Sequence, residues 1–183
     1  MVDKEGGEGV CSCFAEVSQP ADVILDFSFH AATANAVDYA VEKGIPIVIG
    51  TTGHTEEERE YIAAAAKHIP VFYSGNMSMG IALLCDIAKQ AAGMFPDADI
   101  EIVEVHHNRK ADAPSGTAMM LFESVRSVRQ EAQAHCGRAG EGKRVKNEIG
   151  ISSLRLGTTV GIHEVHIHTG SQVLTLKHEA VNR

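Results

Sequence analysis

Between Ala21 and Ser74, short apolar runs alternate with segments of helical spacing, and few architectures accept that pattern. Val23-Ile24-Leu25-Asp26-Phe27 and Ile45-Pro46-Ile47-Val48-Ile49 lack the polar alternation of a half-exposed strand, which predicts strands buried on both faces. Between them, Val37, Ala40 and Val41 recur at helical spacing within His30 to Lys43, and Gly44 is placed to terminate that helix. After Gly50-Thr51-Thr52-Gly53, Thr55 and Glu58 form a capping-box pattern ahead of the alanines Ala63 to Ala66 and predict a second helix. Val71-Phe72-Tyr73-Ser74 reads as a third strand. The succession implies a parallel sheet with crossover helices, part of a doubly wound, Rossmann-like α/β framework. Met1 to Pro20 shows no periodicity and reads as loop.

A helix over Met79 to Met94 then leads into a different kind of region. In Asp99 to His106, Ile100, Ile102, Glu104 and His106 share one face of a strand and Glu101, Val103 and Val105 the other. A helix from Ser115 to about Glu131, a Gly-, Lys- and Arg-rich loop from Gly137 to Lys146, and strands near 149–156, 159–169 and 172–178 suggest an α+β region with a mixed or antiparallel sheet. We therefore expect two domains, 1–78 and 79–183.

Composition narrows the partners. A net charge of −8 and a pI near 5.6 argue against a nucleic-acid surface, so a local basic cluster would serve a small anion. No apolar run approaches the ~20 residues of a membrane span, and the N-terminus lacks the apolar core of a secretory signal, so the expected location is cytoplasmic. Four cysteines at irregular spacing support neither a disulfide scaffold nor a zinc site. His163, His166 and His168 invite a metal reading, but strand alternation sets His163 on the opposite face from the other two. No metal site is expected.

Glu104-Val105-His106-His107-Asn108-Arg109-Lys110-Ala111-Asp112-Ala113-Pro114-Ser115-Gly116-Thr117-Ala118 gathers histidines, cations and a Ser-Gly-Thr turn at one strand-to-helix junction. Pro114 keeps Ala113 out of helix, so Ser115 is free to cap the helix that follows. The N–H groups of Gly116 and Thr117, at the positive end of the helix dipole, then suit a carboxylate. Lys110 and one or both histidines could converge on the same anion, leaving an imidazole as proton donor near neutral pH. The implied ligand is a small di-acid. The bland alternative is a solvated loop before a capped helix, and similarly Lys143-Arg144-Val145-Lys146 reads as a solvated basic loop.

This stretch resembles the Glu-x-His-His-x-x-Lys-x-Asp-x-Pro-Ser-Gly-Thr-Ala signature of the dihydrodipicolinate reductases. Asp26-Phe27-Ser28, Gly50-Thr51-Thr52-Gly53, Gly75-Asn76-Met77-Ser78 and Val160-Gly161-Ile162-His163-Glu164 resemble further family segments in the same order, so that the likeness spans Ala21 to Arg183. The resemblance implies reduction of 4-hydroxy-tetrahydrodipicolinate (dihydrodipicolinate) to tetrahydrodipicolinate by NADH or NADPH, in lysine and diaminopimelate biosynthesis. It implies His106 as proton donor, Lys110 as the second catalytic group, and His107, Gly116 and Thr117 as ligands of the substrate carboxylates. Gly50, Thr51, Thr52, Ser74, Gly75, Asn76 and Met77 would meet the dinucleotide, and Arg183 falls where the family carries a basic residue. A homotetramer built through the second sheet is likewise implied.

No Gly-x-Gly-x-x-Gly follows a strand in this chain, so it reads as lacking the family's N-terminal glycine-rich segment, and its C-terminal end as well. The residue that would distinguish NADH from NADPH is missing with the former. Two other readings compete with the reductase. One is a truncated, non-catalytic remnant that binds a small dicarboxylate and self-associates; the other is a semialdehyde or inositol dehydrogenase of similar plan, disfavoured by the segment Lys110 to Ala118.

Overall fold

The computed structural model describes residues 1–182; Arg183, and any role for it, lies outside the described residues. Two units are distinguished, Met1–Gly75 and the part from Asn76 onward. In the first, Ile24–Asp26 (β1), Ile47–Ile49 (β2) and Val71–Tyr73 (β3) pair in the order β1-β2-β3, parallel throughout, with helices His30–Lys43 (α1) and Glu56–Ala65 (α2) as the crossovers. Gly44 ends α1 in the left-handed region at φ 66°, a conformation that favours glycine, and its N–H bonds back to Ala40 and Val41. The capping box at the start of α2 is complete, with Thr55 and Glu58 each accepting from the other's backbone N–H.

Ala36, Val37 and Ala40 of α1 and Ile62 and Ala65 of α2 form one cluster with Ile47 and Ile49. Both helices thus cover a single face of the sheet. The opposite face carries the cross-strand row Leu25, Val48 and Phe72, in which Leu25 is 64% and Phe72 57% exposed. Burial of these strands on both faces, expected from their unbroken apolar runs, does not hold, because crossovers stepping the same way along a sheet stack their helices on one side.

The second unit places Met79–Met94 (α3) and Gly116–Arg126 (α4) against a five-stranded sheet of Gln133–Cys136 (β5), Glu148–Arg155 (β6), Asp99–His106 (β4), Gly161–His168 (β7) and Val173–Ala180 (β8), in that spatial order. β4 lies parallel to β6 and antiparallel to β7, so the sheet is mixed. α4 ends at Arg126, short of the expected Glu131. Beyond it Arg129 turns its guanidinium onto the carbonyls of Ala92 (3.1 Å), Ala98 (2.8 Å) and Phe95, satisfying orphan acceptors around the end of α3. β5 was not expected at all: its residues are exposed and it exists by parallel pairing with β6. Nor is Arg144 a freely solvated loop residue, since it bonds Asp99 (3.0 Å), Glu101 and the carbonyls of Ile100 (2.9 Å) and Glu148.

Register grades the helix-facing side of this sheet from one end to the other. Two rows are apolar: Ile149, Ile100, Ile167 and Leu174, then Ile151, Ile102, Val165 and Leu176. The next is Ser153, Glu104, His163 and His178, and the strand ends beyond it bring Arg155 beside His106 and Ala180 beside Gly161. The core therefore gives way to ionisable groups within one residue pair along each strand.

Candidate active site

Glu104 occupies the centre of the polar rows, with its side chain wholly buried. Arg155 clamps it with a two-pronged fork, Nη1 to Oε2 at 3.0 Å and Nη2 to Oε1 at 2.9 Å. The Ser115 N–H donates to Oε1 at 3.2 Å, and Oε2 accepts from the ring of His106, whose Nδ1 lies 2.5 Å away. Burial alone would raise this carboxyl; the bonds from Arg155, His106 and Ser153 overcome it and hold the group at about 2, ionised at any neutral pH.

His163 projects from β7 beside His106, ring centroids 5.0 Å apart and nearly perpendicular, with Nε2 3.3 Å from the Ser115 hydroxyl. Burial and the neighbouring His106 push its pKa down to about 4, against the opposing pull of Glu104, so it is neutral. In the unfolded chain its ring takes a proton near pH 6.5, which the folded protein refuses until about 4. Stability from this group is thus full above pH 6.5 and declines as pH falls to 4, by up to about 3 kcal/mol. His163→Gln should flatten that part of an unfolding-versus-pH curve relative to the parent; an unchanged slope would show that His163 charges freely when folded.

The loop after β4 is tied down at several points. Asn108 N–H bonds the Gly157 carbonyl (3.1 Å), Leu156 N–H the His106 carbonyl (2.8 Å), and Lys110 N–H the His107 carbonyl (3.1 Å). Lys110 Nζ holds both carboxylate oxygens of Asp112 at 2.7 and 2.9 Å, and Arg155 reaches on to the Asp112 carbonyl at 2.5 Å. The Ala113-Pro114 bond is cis, and Ser115 then caps α4 by accepting from Ala118 N–H. Gly116 and Thr117 open the helix; the Thr117 hydroxyl accepts from Asn76 at 2.8 Å, and Asn76 in turn accepts from Ser78 N–H. His106, Lys110, Gly116 and Thr117 are thereby carried on one braced strand-loop-helix segment, with half-buried His107 on it.

In the first unit the candidate dinucleotide residues lie at the carboxyl ends of the parallel strands, where ligands of open α/β sheets bind. A Cβ on Gly50 would come within 2.1 Å of the exposed Phe27 ring, which would have to swing aside to admit a larger residue. Thr51 is buried, accepting from Ser28 N–H at 2.8 Å and donating to the Asp26 carbonyl at 3.3 Å, while Thr52, Gly75 and the second unit's Met77 are exposed. Ser74 N–H bonds Ile49. Thr51 therefore supports the turn from within, and Thr52 and the glycines supply its outer surface.

Behind that turn runs a chain no sequence pattern marked. The Thr33 hydroxyl lies 2.7 Å from the buried Asp26 carboxylate, which can only accept, so Thr33 donates there and accepts from His54 Nε2 at 2.9 Å. His54 Nδ1 is then left to accept from the Tyr73 hydroxyl at 3.0 Å, and burial lowers the pKa of this imidazole, favouring its neutral form. Sequence reading also gave no role to Glu104, Arg155 or His163. Strand alternation put Glu104 on the same face as His106, a usable signal; Arg155 and His163 needed the pairing register. His166 and His168 lie on the opposite face of β7 from His163, and no metal-binding group of His, Cys, Asp or Glu occurs among the described residues.

Comparison with known proteins gives concordant results. Residues 4–77 match the family model described as dihydrodipicolinate reductase, N-terminus, and residues 80–183 the one described as dihydrodipicolinate reductase, C-terminus. A relative named 4-hydroxy-tetrahydrodipicolinate reductase from Caldanaerobacter subterraneus subsp. tengcongensis is 46% identical over 95% of this chain and 70% of its own length. One of the same name from Alkaliphilus metalliredigens is 45% identical over 88% of this chain and 68% of its own. The solved dipicolinate-bound dihydrodipicolinate reductase from Paenisporosarcina sp. TG-14 superposes with a TM-score of 0.65 at 29% identity, over 88% of this chain and 63% of that one. The chain thus spans about two thirds of the length of these proteins. GenD2 from gentamicin A biosynthesis, at TM-score 0.60 and 11% identity, shares the fold.

Proposed function

The chain belongs to the dihydrodipicolinate reductase family, and on that premise we propose that it reduces 4-hydroxy-tetrahydrodipicolinate, or its dehydrated form, to tetrahydrodipicolinate with NADH or NADPH, in lysine and diaminopimelate biosynthesis. The observation that carries this reading is His106, bound through Nδ1 to an ionised carboxylate, on the same segment as Lys110 and the amino end of α4. In the dihydro compound one ring carbon gains a hydride and another a proton. The bound dinucleotide supplies the hydride. His106, with its Nδ1–H kept on Glu104, supplies the proton from Nε2 when the ring carries a second proton there, Lys110 acts as second catalytic group, and His107, Gly116 and Thr117 hold the two carboxylates.

Residues 1–78 serve as the dinucleotide-binding domain, with Gly50, Thr51, Thr52, Ser74, Gly75, Asn76 and Met77 bordering the cofactor. Glycine at the crowded position 50 and an exposed rim at Thr52 and Gly75 suit a planar ligand lying close to backbone. Residues 79–183 bind substrate and self-associate into a homotetramer. Exposed Leu154 and Val173 and half-buried Ile162 on the outer face of the second sheet support that association. The protein acts in the cytoplasm; among the described residues no helix is long and apolar enough to cross a membrane.

The test supplies the full chain with 4-hydroxy-tetrahydrodipicolinate and follows oxidation of NADH and of NADPH by absorbance, with pyridine-2,6-dicarboxylate binding measured in parallel. Turnover with either nucleotide, inhibited by the analogue, is expected. Analogue binding without turnover would leave a di-acid module in place of an enzyme.

A further inference from the structure

We infer that Glu104, held by Arg155, is a positioning residue that fixes the His106 imidazole with its hydrogen on Nδ1 and so makes Nε2 the nitrogen that exchanges protons. This rests on the reading of His106 as proton donor. An ionised carboxylate has lone pairs and no proton to give, so at the 2.5 Å contact the hydrogen belongs to His106 Nδ1. Nε2 is then the ring atom left to work. It lies against Gly161, where an added Cβ would sit only 3.2 Å from it, so a side chain at 161 would crowd this nitrogen.

Glu104 also orders the other expected groups. Its Oε1 takes the Ser115 N–H at the start of the helix that carries Gly116 and Thr117. Its partner Arg155 binds the Asp112 carbonyl, and the carboxylate of that residue holds Lys110. One buried charge thereby orients the imidazole directly and sets the two flanking segments at one remove. No element of the proposed reaction needs Glu104 to touch substrate.

Glu104→Gln separates this role from a merely structural one. Oε1 takes Arg155 Nη2 and the Ser115 N–H, while Oε2 takes Arg155 Nη1 and His106, so the new amide turns its oxygen to the first pair, gives up the Nη1 prong of the fork, and points its NH2 toward His106. Nδ1 must then accept, and the hydrogen moves to Nε2. Long-range 15N–1H correlation spectra of the 15N-histidine-labelled chain, with His106 assigned through His106→Gln and the ring neutral, should show Nδ1–H in the parent and Nε2–H in the variant. Turnover should fall about 100-fold, within the range for misplaced acid catalysis, while the KM for the cyclic di-acid and the Kd for pyridine-2,6-dicarboxylate move less than about threefold, as expected for a group remote from substrate. Glu104→Asp should restore the Nδ1–H form in part, and rate with it.

If Glu104→Gln does not fold, the double variant Glu104→Gln, Arg155→Met is read instead, and it should lose the Nδ1–H preference. A folded variant that keeps the parental tautomer overturns the proposal, as does one whose tautomer inverts without loss of rate. Failure of the parent chain to bind pyridine-2,6-dicarboxylate would sink the substrate reading alone, because the tautomer measurement needs no substrate.

Discussion

Replacing Arg155 with methionine should lower the unfolding free energy of the second unit by about 3–5 kcal/mol at neutral pH, the loss expected when a buried charge is stripped of its partner. Glu104 is wholly buried and has four residues donating to it, but only Arg155 brings a permanent positive charge with two-pronged geometry. Without the fork, the carboxylate keeps its desolvation cost and loses its main compensation. The pH dependence follows from the same contacts. In the parent the group titrates at about 2 rather than 4.5, so its contribution is full above pH 4.5 and is lost as pH falls toward 2. In the variant the carboxyl takes up its proton at higher pH, and the deficit should narrow on acidification. Urea unfolding followed by circular dichroism at several pH values reads both effects. Glu104→Leu combined with Arg155→Met should recover most of the loss, because an apolar pair of similar volume avoids burying charge. A single variant within 1 kcal/mol of the parent, below the scale of any buried-pair loss, would show that water or Ser153 compensates.

His106→Asn should reduce turnover by about 10²–10⁴-fold with pyridine-2,6-dicarboxylate binding nearly unchanged, the magnitude expected on removing one positioned general acid. At ~1.4 kcal/mol per decade this is roughly 3–5 kcal/mol of transition-state stabilisation. The expectation distinguishes His106 from its neighbours. Its Nδ1 is committed to Glu104, which leaves a single nitrogen for substrate chemistry, whereas Lys110 rests on Asp112 and must leave that carboxylate to meet an anionic ligand. Lys110→Gln should accordingly weaken both analogue binding and rate. Steady-state kinetics with the cyclic substrate and titration with the analogue decide the matter; equal losses in binding and rate for His106→Asn would make the ring a carboxylate ligand instead of a proton donor.

Local signals accounted for much of the architecture. α1 and β4 could be read from the sequence because each combines a clean period with its own end: Gly44 after α1, the alternation that ends at His106; the bounds of α3 were also met, although its Ser78 cap went unremarked. The capping box of α2 was equally plain. What escaped depended on chain segments far apart. β5 is a strand by virtue of its neighbour, and α4 stops where Arg129 finds three carbonyls at and just beyond the end of α3. The first sheet looked doubly buried because an apolar run cannot say on which side its helices will stack.

The same distinction divides the site. His106, His107, Lys110, Gly116 and Thr117 lie within one contiguous stretch and could be proposed together. Arg155 and His163 flank Glu104 only because β6 and β7 pair with β4 in one register, and that information is not local. Glu104 was visible as a same-face neighbour of His106. Its weight became apparent only once its burial and four partners were seen together.

The graded rows of the second sheet bear on how the strands find their places. A slip of β4 by two residues against β6 and β7 would preserve the inward-facing side chains, so hydrophobic alternation by itself cannot forbid it. Such a slip would carry Glu104 into line with Ile151 and Val165, leaving a bare carboxylate among aliphatic side chains and stranding Arg155 without its anion. The charged pair thus works as a registration mark for assembly. Selection that preserves the reaction would at the same time preserve the alignment of three strands.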